Sequence, residues 1–163
     1  MDSEQIIQTI RSQYDDELVS AEMVDDMLTV TLRKERIAEI IRFLYYHPDT
    51  QFQFLTSLCA VHFPDQQSIA VVYQLHNLQS NVRLRVKTFL PESDAQVATI
   101  TDTFAGANWM ERETYDFYGV SFNGHPNLKR ILNVDDMIIF PLRKEYPLED
   151  QTREDKKDSM FGR

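Results

Sequence analysis

Histidine and carboxylate side chains that could move a proton or hold a metal ion are concentrated between Glu111 and His125. Glu111, Glu113 and Asp116 lie within six residues, and His125 follows in a Gly-His-Pro turn. An imidazole near carboxylates can act as a general acid or base, so a free-standing hydrolase that uses His125 and Asp116 is one interpretation. The other histidines are scattered over the chain, and no further ligand stands at a spacing typical of a metal site. A turn histidine and salt-bridged carboxylates are therefore favoured over a catalytic or metal site.

Composition disfavours other kinds of cofactor site. With only four glycines, neither a Walker-type loop nor a dinucleotide fingerprint is present. The single cysteine, Cys59, excludes an internal disulfide and any all-cysteine iron-sulfur or zinc site made by this chain alone. Its apolar neighbours predict that Cys59 is buried. No cofactor or metal is therefore expected on this chain.

A short helix is predicted to position the ionisable side chains. Asn108 can cap a helix whose third residue is Glu111, in a capping-box-like arrangement, and Gly119 is expected to end it. Aromatic residues are dense along and after this helix, which is more typical of core and interface than of a flavin or quinone site. They are Trp109, Tyr115, Phe117, Tyr118 and Phe122.

The same segment resembles a family signature. Its order of Glu-Arg-Glu, Asp, Gly and Gly-His-Pro is similar to that of the 30 kDa subunit of proton-pumping NADH:quinone oxidoreductase, respiratory complex I. A second similar element begins at Pro141. The family commonly has Gly-His where this chain has Ile139-Phe140, and often acids where Ser57 and His62 stand. The residues that this resemblance assigns to a family signature or interface are Glu111, Arg112, Glu113, Asp116, Gly119, Phe122, Gly124, His125, Pro126, Leu128, Arg130, Pro141, Leu142, Arg143, Lys144, Tyr146 and Pro147.

The resemblance implies an accessory, non-catalytic subunit of the peripheral arm of complex I. It would pack against the 49 kDa-type subunit and against cluster-bearing subunits near the region of quinone reduction. It would bind no cofactor itself, while the assembled complex would use FMN, iron-sulfur clusters, NADH and quinone to couple electron transfer to proton translocation. It would be peripheral, on the cytoplasmic side of the inner membrane, and would touch the membrane only through the complex.

Three alternatives stay open at this point. One is the hydrolase described above, and another is a small acidic binding domain without a redox role. The third is an equivalent subunit of a related membrane-bound hydrogenase-type complex, since such complexes carry a similar subunit. Genes for cluster-binding and membrane subunits beside this one would favour an accessory subunit.

Charge and hydropathy limit the partners of the chain. The net charge is −9, and the first 26 residues hold eight acids against Arg11. Such a surface repels phosphate and anionic headgroups, so neither nucleic acid nor direct membrane adsorption is expected. There is no run of about 18 apolar residues and no charged-then-apolar leader, so neither a membrane span nor a secretory signal is expected.

An α+β two-layer fold is predicted, with helices on one face of a mainly antiparallel four-stranded sheet. Helical spacing predicts a helix from Ile6 to Tyr14 and another from Ile37 to Leu44, and His47-Pro48 should end the second. A strand is predicted around Val30. Three more strands are predicted at Phe54 to Phe63, Ile69 to Leu78 and Val82 to Phe89, the last two joined as a hairpin.

The segment between the last predicted strand and the signature helix is predicted to be a third helix. Val97, Ile100 and Phe104 recur at i, i+3 and i+7, Ser93 or Asp94 is available as a cap, and Gly106 as a stop. The predicted domain therefore covers residues 1–132. Residues 133–163 lose the periodicity and are predicted to be an extended tail that binds a partner.

Overall fold

A five-stranded sheet with helices on one face forms the frame of the structure, a computed structural model that describes residues 2–147. The helices are α1 (Ser3–Tyr14), α2 (Ile37–Tyr46) and α3 (Ala107–Tyr118). The strands are β1 (Leu18–Val24), β2 (Met27–Leu32), β3 (Phe54–Phe63), β4 (Ser68–Asn77), β5 (Val82–Pro91), β6 (Gln96–Ala98) and β7 (Ser121–Asn123).

The main sheet has the strand order β1-β2-β5-β4-β3. Its neighbouring strands are antiparallel except for β2 and β5, which run parallel. A second, two-stranded sheet pairs β6 with β7 in parallel. The predicted α+β class with a mainly antiparallel sheet is confirmed, but the sheet has five strands rather than four.

The strand that was not predicted is β1, an edge strand of the sheet. It carries Glu22 and shows no regular alternation of buried and exposed positions, so its sequence lacks the usual strand signal. It joins β2 through Asp25 and Asp26, whose φ angles of 50° and 59° are those of a tight hairpin turn.

Several predicted elements are confirmed at nearly their predicted bounds. Helix α1 begins with a capping box, in which the Asp2 carboxylate accepts from the backbone N–H of Gln5 at 2.8 Å and the Gln5 side chain accepts from the backbone N–H of Asp2. Helix α2 ends before His47-Pro48. Strands β4 and β5 form the predicted antiparallel hairpin.

The predicted helix around Val97, Ile100 and Phe104 is wrong. Residues 96–98 form β6, and residues 101–106 form turns that lead into α3. The three apolar residues are buried as predicted. Their spacing fits a helix face, but pairing with β7 and packing under the helices determine the local structure instead.

The hydrophobic core lies between the sheet and its helices. Ile6 and Ile10 of α1 and Ile40 and Leu44 of α2 are almost fully buried against it. Cys59 is exposed, so its predicted burial is wrong: Leu58 and Ala60 face the core, and strand alternation turns Cys59 away. Among residues 2–147, no helix has the length and apolar character needed to cross a membrane.

Tyr73 generates a test of this core. Its side chain is fully buried in β4, and its hydroxyl has no hydrogen-bond partner among the described residues. Because an unpaired buried hydroxyl is unfavourable, Tyr73→Phe should be neutral or raise the free energy of unfolding by about 1 kcal/mol. The neighbouring control Leu75→Ala should lower it by about 2 to 5 kcal/mol. Urea unfolding measures both, and a loss above about 1 kcal/mol for Tyr73→Phe would contradict the packing described.

Candidate functional site

The signature residues are organised by α3, which packs against the edge strand β3. The helix begins after Gly106 without a side-chain cap, so the predicted capping role of Asn108 is wrong; Asn108 already lies within the helix. It ends at Gly119, as predicted. Gly119 has a φ of +74°, and a β-carbon there would lie 2.5 Å from the Phe140 ring, so both backbone conformation and space require glycine.

The carboxylate of Asp116, near the end of α3, is fully buried and saturated with hydrogen bonds. Its Oδ2 accepts from three successive backbone N–H groups, those of Ile131, Leu132 and Asn133, at 2.8 to 3.1 Å. Its Oδ1 accepts from the Arg130 guanidinium at 2.8 Å and from the Asn133 amide at 3.1 Å. The carboxylate thus fixes the turn at residues 130–133 against the helix.

The pKa of Asp116 reflects two opposing effects. Burial raises this pKa, but the hydrogen bonds from Asn133, Leu132 and Arg130 together outweigh burial and hold it well below its ordinary value. A carboxyl group with a lowered folded-state pKa stabilises the fold above its ordinary pKa of 3.8. This contribution is lost only as the pH falls below that value.

Two arginines extend this network through backbone carbonyls. Arg130 pairs with Asp116 and also donates to the carbonyls of Met137 and Ile139 at 2.6 and 3.0 Å. Arg112 donates to the carbonyls of Lys129 and Arg130 at 3.1 Å, and its guanidinium lies over the Trp109 ring. Both side chains therefore hold the chain that follows the Gly-His-Pro turn.

A second buried carboxylate, Glu111, binds the turn before α3. Its two oxygens accept from the Thr99 hydroxyl at 2.5 Å and from the backbone N–H of Ile100 at 2.8 Å. Burial raises its pKa from 4.5 to about 7, while these two hydrogen bonds act in the opposite direction. Glu111 therefore takes up a proton far more readily than an exposed glutamate.

His125 joins the Gly-His-Pro turn to the start of α3. Its Nδ1 accepts from the backbone N–H of Asn127 at 3.0 Å, so the ring proton is on Nε2. Nε2 then donates to the carbonyl of Asn108 at 3.1 Å and lies 4.0 Å from the Glu111 carboxylate. Both ring nitrogens are used in structural contacts.

This arrangement opposes the hydrolase that the sequence left open. His125 contacts Asn108 near the first turn of α3, whereas Asp116 lies eight residues further along, about 12 Å away at the helical rise. The two side chains do not form an acid and base pair. The lone pairs of Asp116 are also occupied by five donors.

The Pro-Leu-Arg-Lys element caps the carboxyl end of α3. The backbone N–H of Leu142 donates to the Phe117 carbonyl at 3.2 Å, and Arg143 Nε donates to the Tyr118 carbonyl at 2.8 Å. These are carbonyls that a helix end leaves without partners, and a cation there also complements the helix dipole. The guanidiniums of Arg130 and Arg143 lie over the Phe140 ring, 5.1 and 5.0 Å from its centre.

The next contact of this segment is with His62 on β3. His62 is buried, and its Nδ1 accepts from the backbone N–H of Lys144 at 3.0 Å. Its Nε2 lies 3.3 Å from Glu92, outside hydrogen-bond geometry, and its Nδ1 lies 3.5 Å from Glu145. Metal-ligating atoms of the three residues lie close together. The hydrogen bond from Lys144 to Nδ1 ties the chain at residues 143–145 to β3.

The remaining predicted residues play lesser parts within residues 2–147. Glu113 is exposed and has no ion pair or side-chain hydrogen bond with residues 2–147, so within that range the predicted pairing is found for Asp116 but not for Glu113. Phe122 is buried in the core and Leu128 packs against it. Gly124 has a φ of +85°. Exposed or partly exposed positions are those of Pro126, Pro141, Lys144, Tyr146 and Pro147.

Sequence reasoning missed Thr99, Asn133 and the contacts of Phe140 and His62. These residues are distant in sequence from the groups they bind, and no spacing pattern signals the contacts. The predicted tail is described as far as Pro147, and its remainder, residues 148–163, lies outside the described residues.

A sequence profile of the respiratory-chain NADH dehydrogenase 30 kDa subunit matches residues 30–152, which include every signature contact above. The chain belongs to this family. Two relatives that are named as a subunit of NADH-quinone oxidoreductase support the assignment. The protein of Geobacter sulfurreducens is 40% identical over 135 residues, 82% of each chain. That of Geobacter metallireducens is 37% identical over 153 residues, 93% of each chain.

Solved structures share the fold of this family member. A trypsin-resistant fragment of Nqo5 is 29% identical with a TM-score of 0.65, covering 78% of this chain and all of the fragment. A chain of the membrane-bound sulfane sulfur reductase, an archaeal respiratory membrane complex, has a TM-score of 0.75. That match covers 89% of this chain and 85% of the other, and its 24% identity shows the fold alone.

The Asp116 network generates a stability prediction. Asp116→Asn removes the charge that Arg130 pairs with and places an amide NH₂ against N–H donors in either orientation. We expect a loss of about 3 to 5 kcal/mol in the free energy of unfolding, as for a buried pair that loses one partner. Glu113→Gln, on an exposed position of the same helix, should change it by at most about 0.5 kcal/mol. Equal effects in denaturant unfolding would refute the anchoring role.

Glu111 generates a pH prediction. Between pH 4.5 and about 7 the folded chain holds a proton on Glu111 that the unfolded chain has released, so this group's contribution to stability falls as the pH rises. The difference between these pKa values corresponds to about 3 kcal/mol. Glu111→Gln, which mimics the protonated form, should lack this loss.

The measurement is the free energy of unfolding of wild type, Glu111→Gln and the exposed control Glu113→Gln at pH 4.5 and pH 8. The stability of Glu111→Gln relative to wild type should rise by about 3 kcal/mol between the two values. The control should follow wild type. A parallel pH dependence for all three proteins would contradict a buried, readily protonated Glu111.

Proposed function

We propose that this chain is a structural, non-catalytic subunit of the peripheral arm of NADH:quinone oxidoreductase. The observation that supports the proposal is that charged and polar side chains of the signature form hydrogen bonds with backbone groups. Asp116, Arg112 and His125 bind main-chain groups of the segments that follow α3. Relatives that are 37% and 40% identical over most of their length are named as a subunit of this enzyme.

The mechanism that follows is one of positioning. Asp116 and Arg130 fix the turn at residues 130–133 against α3. Arg143 fixes residues 140–143 at the carboxyl end of the same helix. These contacts hold residues 130–147 against the domain. A partner subunit that receives this segment would be held without any reacting group on this chain.

The proposed partners are the 49 kDa-type subunit and the cluster-bearing subunits of the arm, at the cytoplasmic side of the inner membrane. The exposed apolar side chains beside the network, such as Trp109, Leu132 and Ile138, suit burial against another subunit.

We further propose that the chain binds no FMN, cluster, nucleotide or quinone, since its one cysteine and scattered histidines make no such site by sequence. The purified chain should show no visible absorption band and less than about 0.1 equivalent of iron or zinc, because no ordinary ligand set for a cluster is available. Absorption spectra and metal analysis test this, and a stoichiometric chromophore would contradict it.

Assembly and turnover separate a structural role from a catalytic one. Asp116→Ala and His125→Ala should lower the amount of assembled enzyme, because each removes contacts that position the chain after α3. The assembled remainder should keep its activity within about twofold, whereas loss of a general acid or base lowers turnover about 100-fold or more. The exposed control Asp65→Ala should change neither quantity.

The measurement divides the NADH:quinone activity of membranes by the amount of complex on native gels. If the variants assembled normally but had a much lower activity per assembled complex, the proposed structural role would be wrong.

A further inference from the structure

The face of the main sheet that points away from the helices is chemically unlike the rest of the chain. Strand β5 alternates between core residues and residues on this second face. Its core residues are Leu84, Val86 and Leu90, all fully buried. Its residues on the second face are Arg83, Arg85, Lys87 and Phe89.

One end of this face is apolar and open. Val61 of β3, Ala70 of β4 and Phe89 of β5 lie side by side in register. The Phe63 and Phe89 rings are 5.9 Å apart. Ala70 is buried between its neighbours, but Val61 and Phe89 keep 39% and 42% of their surface exposed, so this apolar end is only partly covered by residues 2–147.

The centre of the same face is basic. Thr29, Arg85 and Gln74 are paired across the sheet, and Thr31, Lys87 and Val72 form the next row. Within residues 2–147, the three bases of β5 form no ion pair. Three such bases on one strand are unexpected in a chain of net charge −9.

Few acids offset these bases. Glu22, which pairs with Thr29, is the one acid on the five strands of the main sheet. From α3, Glu113 comes near the outer edge: partial desolvation raises the pKa of the Cys59 thiol, the Glu113 carboxylate raises it further, and Ser57 and Arg85 lower it. The face is therefore basic in its centre, apolar at one end and acidic only at its margins.

We propose that this basic sheet face, formed by Arg83, Arg85, Lys87, Phe89 and Val61, docks an acidic helix of a partner subunit; the inference rests on the proposed function. Residues two apart on a strand are about 7 Å apart, so the three bases span about 14 Å. Carboxylates at i, i+4 and i+8 of a helix are about 6 Å apart and match this row. Apolar side chains beside them would cover Val61 and Phe89. Opposite charges then select the partner, and burial of the apolar end adds affinity.

A charge-reversed pair of variants tests the docking. Arg85→Glu with Lys87→Glu inverts the centre of the face, and Arg11→Glu with Arg42→Glu makes the same charge change on α1 and α2. The two control arginines form only exposed ion pairs, with Asp15 and Asp102, of little energetic value. Each purified chain is first checked for an unchanged unfolding transition. Each is then added to membranes that lack this subunit, and assembled complex is quantified on native gels at low and high salt.

The basic-face variant should need at least about tenfold more protein than wild type for half-maximal assembly, because like charges oppose docking. The control pair should stay within about twofold. Equal assembly of both pairs would overturn the docking inference and leave the proposed function standing. Failure of wild type itself to join any complex would overturn both.

A benzophenone photocrosslinker in place of Phe89 identifies the occupant in the assembled complex. Crosslinking to an acidic segment of another subunit supports the inference. Crosslinking to residues 148–163 of the same chain, to lipid or to nucleic acid overturns it. The same crosslinker in place of Tyr46, an exposed residue of α2, is the matched control and should not capture that acidic segment.

Discussion

The buried carboxylate of Asp116 is the interaction on which the rest of the site depends. It sits on the last turns of α3 and gathers five donors from residues 130–133. Without it, Arg130 would lose its charged partner, and the carbonyls of Met137 and Ile139 would lose their fixed donor. A single charge thus determines the path of the chain for some ten residues after the Gly-His-Pro turn.

The sequence predicted those features that depend on local pattern. The periodicity of α1, α2, β3, β4 and β5 and the stop at Gly119 are all local, whereas the pairing of Asp116 with Arg130, 14 residues away, follows from the density of charge around α3. Structure that depends on contacts between residues distant in sequence was not predictable. Ile100 fits a helical stripe as well as a buried turn, and only pairing of β6 with β7 decides between them. Likewise, no spacing rule brings Thr99 to Glu111 or His62 to Lys144.

Two departures from the usual family sequence have a structural explanation. Phe140 stands where histidine is common, and its ring packs over Gly119 beside the guanidiniums of Arg130 and Arg143. His62 stands where acids are common and binds the backbone of Lys144. Both substituted side chains contact the segment at residues 140–145.

The parallel pairing of β2 with β5 has a consequence for how the chain folds during synthesis. The β1–β2 hairpin is made first, yet its place in the sheet is beside β5, which ends at Pro91. At ribosomal rates of about 5 to 20 residues per second, the edge of β2 waits for roughly 3 to 12 seconds. During this interval the edge of β2 exposes unpaired backbone groups, which can pair with another chain and cause aggregation. The acids of the amino-terminal segment lie beside that exposed edge in sequence and give the nascent chain a charge that opposes self-association.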